Sequence, residues 1–330
     1  MGERILLIKL AAMGDVLRTT FLLAALKEKY TGCSIDWVTE KNAVELLLGN
    51  PFIDNVFVIG DKLNLKYSKV INLDEDERAC RLAGSLNGEV IGFYWDNGIK
   101  YTPTAKEWFD MSALGKKPEN DILKRKNRKT YQQIMCEIAG VEWKHQKPIL
   151  VLPPDAVEFG KKLSRKLEKG KLTVGLNTGA GGRWKLKKLS EEKTAGLADR
   201  LVEELDAQVV LFGGPEEKER NERIKKMISH KIVDAGCDNT LMEFAALVNL
   251  CDVLVTSDSL ALHIGIALGK KIVVFFGPTS PWEIELYGNG VKVFKENPCL
   301  CCYKENGIAK PTCDEYIDVG MIVDAVRRVV

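Results

Sequence analysis

Short apolar runs alternate with longer segments of helical period along the chain, and that alternation admits one class of fold. The runs "RILLIKL", "SIDWVT", "NVFVIG", "KVINLD" and "EVIGFY" occupy the first half, and "LTVGLNT", "QVVLFGG", "KIVDAG", "DVLVTSD" and "KKIVVFFGP" the second. Strands that read as nearly continuous Val, Ile, Leu and Phe are buried on both faces, as in a parallel sheet covered by crossover helices. The expected class is therefore α/β, doubly wound, and the rhythm occurs twice. At 330 residues the chain exceeds the size at which one hydrophobic core stops growing, which also favours two domains. Pro153 and Pro154 break the chain before a charged helix, so the expected domains are 1–154 and 155–330. No repeat of a solenoid period is visible. Ligands of such sheets bind at the carboxyl ends of the strands, here in a cleft between the domains.

Charge and composition remove several function classes. Forty-eight basic against 46 acidic residues give a net charge of +2, which argues against a nucleic-acid binder that works by broad counterion release. The densest basic run, "LKRKNRK" from Leu123 to Lys129, reads as a solvated face or loop; the sharper alternative is a contact for an anionic acceptor or an acidic membrane surface. No apolar segment is long enough to span a bilayer, and Lys9 interrupts the apolar run at the N-terminus, which reads as a strand and not an export signal. Nine cysteines, an odd number in a large chain, suit a reducing cytoplasm. Cys299 and Cys302 have C-x-x-C spacing, but there is no second clean pair and no nearby histidine, so no metal is assigned and the cysteines are read as free thiols, with a structural zinc or cluster as the alternative. Between Trp95 and Lys129 the periodicity weakens; Trp95, Trp108 and Phe109 belong to local core or to an acceptor-binding insertion.

Four stretches carry chemistry. In "LAAMGDVLRTT" Asp15 falls where the first strand turns into a helix whose Leu17, Phe21, Ala24, Ala25 and Tyr30 fit packing on a sheet. Asp15 thus sits at the N-cap or beside it, where a carboxylate accepts from unpaired N–H groups. It also lies at the carboxyl end of a strand, where an acceptor hydroxyl could meet it, and the residues alone leave cap and base equally open. The loop lacks G-x-G-x-x-G, which makes a nicotinamide enzyme a poor candidate. In "GLNTGAGGRWKLKKLSEEK", Gly179, Gly181 and Gly182 permit close backbone approach to a ligand, and Thr178, Arg183 and Lys185 supply donors suited to phosphate oxygens. In "VLVTSDSLALHIGIALGKKIVVFFGPTSPWE", "SDS" opens a helix whose N–H groups, with Ser257 and Ser259, form an anion site within reach of His263; Thr279 and Ser280 fall near the same rim. The alternative roles are an N-cap for Asp258 and a core position for His263. In "LFGGPEEKERNERI", Glu216 or Glu217 could accept from ribose hydroxyls, or simply complement the helix dipole.

Together "KLAAMGDVLRTT", "NTGAGGRW", "LFGGPEE" and "TSDSLALHIGIALGKKIVVFFGPTSP" resemble glycosyltransferase family 9, the bacterial ADP-heptose:lipopolysaccharide heptosyltransferases. The resemblance runs from the first strand to about Pro281. It implies a GT-B architecture, two Rossmann-like domains facing a cleft, with the acceptor bound by the first and the donor by the second. It implies inverting transfer of heptose from ADP-heptose to a lipid-linked oligosaccharide acceptor, without metal or cofactor, in the cytoplasm with peripheral contact at the inner face of the inner membrane. Asp15 then matches the general base, and Arg183 a basic residue that assists the departing diphosphate. Asp258, Ser259 and His263 match the donor-binding helix start, and Met242, in "TLMEF", the adenine contact; Thr178, Gly179, Lys185 and Glu216, read from the residues themselves, complete the expected donor site. Two positions depart from the pattern: Leu260 replaces a usual glycine, and Arg183 a residue that is often lysine, which keeps charge but changes geometry. The rival readings are a GT-B enzyme using another nucleotide sugar, and a non-catalytic nucleotide-binding protein.

Overall fold

A computed structural model describes residues 2–113, 117–182, 185–304, 307–308 and 310–330. The chain divides into two compact units, one comprising Met1–Val151 with Trp282–Glu285, the other Leu152–Pro281 with Leu286–Val330. The boundary at residue 151 lies just before the two prolines, and a short segment from late in the chain joins the first unit.

In the first unit β1 (Arg4–Ile8), β2 (Ser34–Thr39), β3 (Asn55–Val58), β4 (Lys69–Asn72), β5 (Glu89–Trp95) and β6 (Ile99–Tyr101) form one sheet of order β3-β2-β1-β4-β5-β6. Its helices are α1 (Met13–Thr19), α2 (Phe21–Lys29), α3 (Glu77–Ser85), α4 (Lys106–Ser112), α5 (Pro118–Lys126) and α6 (Tyr131–Ala139). The five strands expected from apolar runs are all present and parallel, Ile5 opposing both Ile35 and Lys69. Ile5 to Ile8 are fully buried, as a central strand covered on both faces requires. The unexpected strand is β6, which runs antiparallel to β5. Gly92, with φ +95°, lets β5 pass β4 closely: a Cβ there would lie 2.0 Å from Asn72 O. The expected helix after β1 is interrupted at Thr20, whose hydroxyl donates to Leu17 O and accepts from Ile149 N–H at 2.8 Å each. Thr130 and Gln133 form a reciprocal capping box on α6, and Gly140 ends that helix in the left-handed region.

The basic run is a solvated face only in part, with Lys126 and Arg128 exposed. Lys124 ends up buried, 2.7 Å from Glu283 with side chains 5% and 8% exposed, and its ammonium lies 4.4 Å from the Trp108 ring centroid. Arg128 stacks on Trp282 at 3.8 Å, Tyr131 N–H donates to Glu283 O, and Lys129 pairs with Glu107 and Glu137. The segment Trp282–Glu285 is thus held to the first unit by the charges that sequence reading had sent to solvent. The aromatic residues nearby are local core: Phe109 packs on Tyr101 at 4.6 Å and Trp108 meets Tyr131 edge-on at 5.7 Å.

The second unit contains β7 (Thr173–Asn177), β8 (Gln208–Phe212), β9 (Val233–Asp234), β10 (Val253–Ser257), β11 (Lys271–Phe275) and β12 (Gly290–Val293), in the order β12-β11-β10-β7-β8-β9 and parallel throughout. Its helices are α7 (Pro154–Ser164), α8 (Glu191–Leu205), α9 (Lys218–Met227), α10 (Leu241–Asn249), α11 (Leu260–Ala267), α12 (Cys313–Tyr316) and α13 (Val319–Val329). The apolar faces of α8 and α13 bury Leu197, Leu201, Ile322 and Val326 against Val174, Val209 and Val255 of the sheet. Ser190 caps α8 by accepting from Lys193 N–H, and Thr240 and Glu243 cap α10 reciprocally. Among the described residues no helix is long and apolar enough to cross a membrane.

Candidate functional site

Each sheet has one place where neighbouring strands continue in opposite directions. In the first unit β1 leads to β2 and β4 to β5; in the second β7 leads to β8 and β10 to β11. The loops leaving such a pair diverge and open a crevice at the strands' carboxyl ends.

At the β1/β4 crevice Asp74, just past β4, gathers the backbone after β1: its Oδ2 accepts from Lys9 Nζ and Leu10 N–H at 3.0 Å and from Ala11 N–H at 3.2 Å. Lys9 is buried; burial pulls its pKa down, but the adjacent Asp74 carboxylate, helped by Asp15, outweighs this, so the ammonium titrates above its ordinary value. Asp15 is not the N-cap. Ala12 holds that position and Asp15 is the third residue of α1, with Oδ2 3.4 Å from Ala12 N–H. As the third residue it reaches back to the N-cap amide in the manner of a capping-box acid, and its side chain stays 35% exposed. Its Oδ1 lies 2.7 Å from Arg18, one turn on, whose side chain is 12% exposed. The Arg18 guanidinium covers the Tyr131 ring at 3.6 Å, and Tyr131 Oη lies 2.6 Å from Thr19 Oγ1.

At the β7/β10 crevice Asn177, the last residue of β7, bridges the two strand ends. Its Nδ2 reaches Gly179 O at 2.7 Å, Thr256 Oγ1 at 3.0 Å and Ser259 Oγ at 3.4 Å. Ser259 is the N-cap of α11, yet its hydroxyl turns to Thr256 at 3.1 Å and makes no capping bond to the helix. The positive end of α11 therefore meets the crevice without a side-chain cap. Asp258 precedes the cap and stands between two cations or potential cations: Lys187 Nζ is 2.7 Å from its carbonyl and 3.2 Å from Oδ2, and His263 Nε2 is 4.0 Å from Oδ1. His263 is in the first turn of α11 and buried. Gly265 lets that helix sit close on the sheet; a Cβ there would lie 2.7 Å from Leu254 and 2.8 Å from Ile272.

The remaining sequence-derived residues fall in more varied places. Thr178 is buried, its hydroxyl 2.6 Å from Asn221 Oδ1 and 3.0 Å from Phe212 O, so that its proton is used within the protein. Gly179 makes room for Glu217, whose Oε2 is 2.9 Å from the position of a Cβ. Glu217 itself is buried and paired with Lys188 at 2.6 Å, which makes it a strut of the loop, while Glu216 stays exposed near Gly182. Met242 is buried in the first turn of α10. Lys185 lines a pocket of about 560 Å³ together with Gly181, Gly182, Ser190, Arg220 and Arg223. Arg223 binds Glu191 through two bonds, of 2.9 and 2.7 Å, and holds that carboxyl below its usual range. Arg183 lies outside the described residues.

Thr279 and Ser280 are buried just past β11, and their hydroxyl oxygens have no hydrogen-bond partner among the described residues. Cys299, Cys302 and Cys313 pack together with Leu186; among the described residues no group of His, Cys, Asp or Glu is placed to hold a metal ion. Sequence reasoning missed Lys9, Arg18, Asp74 and Tyr131 in the first unit and Asn177 and Lys187 in the second. Asking which residues flank the two divergent strand pairs would have found Asp74 and Asn177.

Residues 64–312 match the family described as "Glycosyltransferase family 9 (heptosyltransferase)". The chain is 23% identical over 320 residues to a lipooligosaccharide heptosyltransferase 2 of Haemophilus influenzae, covering 84% of each protein. Among solved structures it resembles a family 9 glycosyltransferase of Veillonella parvula, with 21% identity, a TM-score of 0.75 and coverage of 99% and 97%. It also resembles the Escherichia coli ADP-heptose lps heptosyltransferase II, with 17% identity, a TM-score of 0.67 and coverage of 99% and 98%.

Proposed function

The chain belongs to glycosyltransferase family 9, the heptosyltransferase family, and from that premise we propose that it transfers heptose from ADP-heptose to a hydroxyl of a lipid-linked lipopolysaccharide core acceptor, with inversion and with Asp15 as general base. What supports the reading is the placement of chemistry in each unit: a half-buried carboxylate beside the β1/β4 crevice, and a helix start without a side-chain cap beside Lys187, Asp258 and His263 at the β7/β10 crevice.

The step balances as a single displacement. The acceptor O–H gives its proton to Asp15, its oxygen forms the new bond to the anomeric carbon, and the bond from that carbon to the β-phosphate breaks with its electron pair leaving on ADP. Positive charge develops on the sugar and negative charge on the departing diphosphate, which the N–H groups of α11, Lys185 and Arg183 would stabilise. Glu216 and Met242 are assigned to the nucleoside. A positioned carboxylate base contributes about 10²–10⁴-fold. A lipid-linked acceptor places the enzyme in the cytoplasm, in peripheral contact with the inner membrane.

Asp15→Asn tests the assignment: ADP affinity by calorimetry should stay within a factor of about two, while transfer to a panel of truncated lipid acceptors, read by mass spectrometry, falls by roughly two decades or more. Unchanged turnover would remove Asp15 as base. Tighter binding of UDP or GDP than ADP would point to another nucleotide sugar.

A further inference from the structure

We propose that Arg18 is the positioning residue of this site, clamping the Asp15 carboxylate through Oδ1 so that it is held in one orientation toward the acceptor hydroxyl. The inference rests on the assignment of Asp15 as base and adds what holds that carboxylate in place.

Three contacts carry it. Arg18 meets Oδ1 at 2.7 Å and Ala12 N–H lies 3.4 Å from Oδ2, so the carboxylate is oriented while the residue stays 35% exposed. The guanidinium is itself immobilised, 12% exposed and laid on the Tyr131 ring at 3.6 Å. Tyr131 is fixed in turn: it is fully buried, 2.6 Å from Thr19 Oγ1, with Trp108 edge-on against its ring at 5.7 Å. The chain Trp108–Tyr131–Arg18–Asp15 therefore connects a packed core to a carboxylate at the crevice. An exposed Asp–Arg pair at helical spacing is ordinarily worth little because both side chains wander; here one partner is already held by a ring.

The clamp has an opposing cost. A cation against a carboxylate lowers its pKa, typically by about 1–3 units, and so weakens it as a base while keeping it ionised. The charged and titratable groups around Asp15 include, among the described residues, Arg18 on its own helix, Lys9 at the end of β1, Asp74 past β4 and Tyr131 on α6. Lys9 is already paired to Asp74, and replacing Arg18 takes away a cation 2.7 Å from Asp15.

The test uses the full chain with ADP-heptose and a lipid acceptor. Arg18→Met should leave ADP affinity unchanged, lower kcat about tenfold or more, and move the acid limb of the kcat–pH profile up by about one unit or more. Arg18→Lys, which restores charge but cannot lie flat on Tyr131, should return the acid limb toward wild type while kcat stays low. Circular dichroism and ADP binding check folding of each variant, and Arg18→Lys carries the test if Arg18→Met does not fold. An unmoved acid limb in folded Arg18→Met, or full kcat in Arg18→Lys, overturns the clamp. If Asp15→Asn retains activity the base assignment itself has failed, a result separable from failure of the clamp.

Discussion

Replacing Glu283 by alanine isolates the worth of the buried pair that fastens Trp282–Glu285 to the first unit. At 2.7 Å and an effective dielectric near 20 the attraction between the two charges is about 6 kcal/mol. Against it stands a desolvation cost of several kcal/mol for each ion, and with side chains only 5% and 8% exposed neither ion recovers much hydration in the folded state. The two terms nearly cancel for the intact pair, but Glu283→Ala removes only the attraction and leaves the Lys124 ammonium beside Trp108, whose ring face returns about 1–2 kcal/mol. The expected loss is therefore about 3–5 kcal/mol, whereas the double replacement Lys124→Met, Glu283→Leu should fall within about 1 kcal/mol of wild type. Urea unfolding followed by far-ultraviolet circular dichroism measures both. The two hydrophobic cores unfold separately if their stabilities differ, so the transition that moves is assigned by limited proteolysis. A loss below about 1 kcal/mol in Glu283→Ala, or a double variant as unstable as the single one, refutes the reasoning, since either result describes a solvated surface pair.

Gly92→Ala should cost on the order of 3 kcal/mol, because the residue has φ +95° and the new Cβ would press on Asn72 O; the urea midpoint reads it. Burial tends to raise the Asp199 carboxyl, but N–H donors from Ser229 and His230 and the His230 ring outweigh it, so its folded pKa is lowered. A depressed carboxyl stabilises the fold above its unfolded value of about 3.9 and loses that contribution as pH falls through the folded value. Asp199→Asn should therefore lower stability at neutral pH and flatten its fall below about pH 4, checked by urea midpoints across pH 3–7. All nine cysteines are buried, and burial pushes the Cys80, Cys136 and Cys251 thiols up to about 12. An aromatic disulfide reagent should find no fast-reacting thiol in the native protein and nine after denaturation.

The parallel strands could be read from the chain because burial on both faces makes each one a run of apolar residues with no solvent side to interrupt it. β6 and β12 escaped for the opposite reason: they are short edge strands, one face and one flank open, and "IKY" and "GVKV" carry too few apolar residues to stand out. Lys124 was misplaced because its burial depends on Glu283, a partner far along the chain that no local pattern announces. At the β1/β4 crevice the chain announced Asp15 through its turn, yet Asp15 is the third residue of α1 and lies three positions past the N-cap Ala12, whose side chain gives no capping signal. Arg18 could not be distinguished from any helical arginine until Tyr131 was seen beneath it. Lys187 was quoted within a cluster of lysines, and only the loop's path back to Asp258 separates it from Lys188, which turns instead to Glu217.

Both sheets finish on stubs: Asn55–Val58 and Ile99–Tyr101 flank one, Gly290–Val293 and Val233–Asp234 the other, none longer than four residues. A rim so brief offers an incoming chain only a few main-chain bonds before the ladder runs out, which is too little to seed ordered stacking of one molecule on the next. Concentrated solutions of the folded protein should accordingly resist fibre formation, and material lost during refolding should be amorphous and fail to bind dyes that report cross-β order.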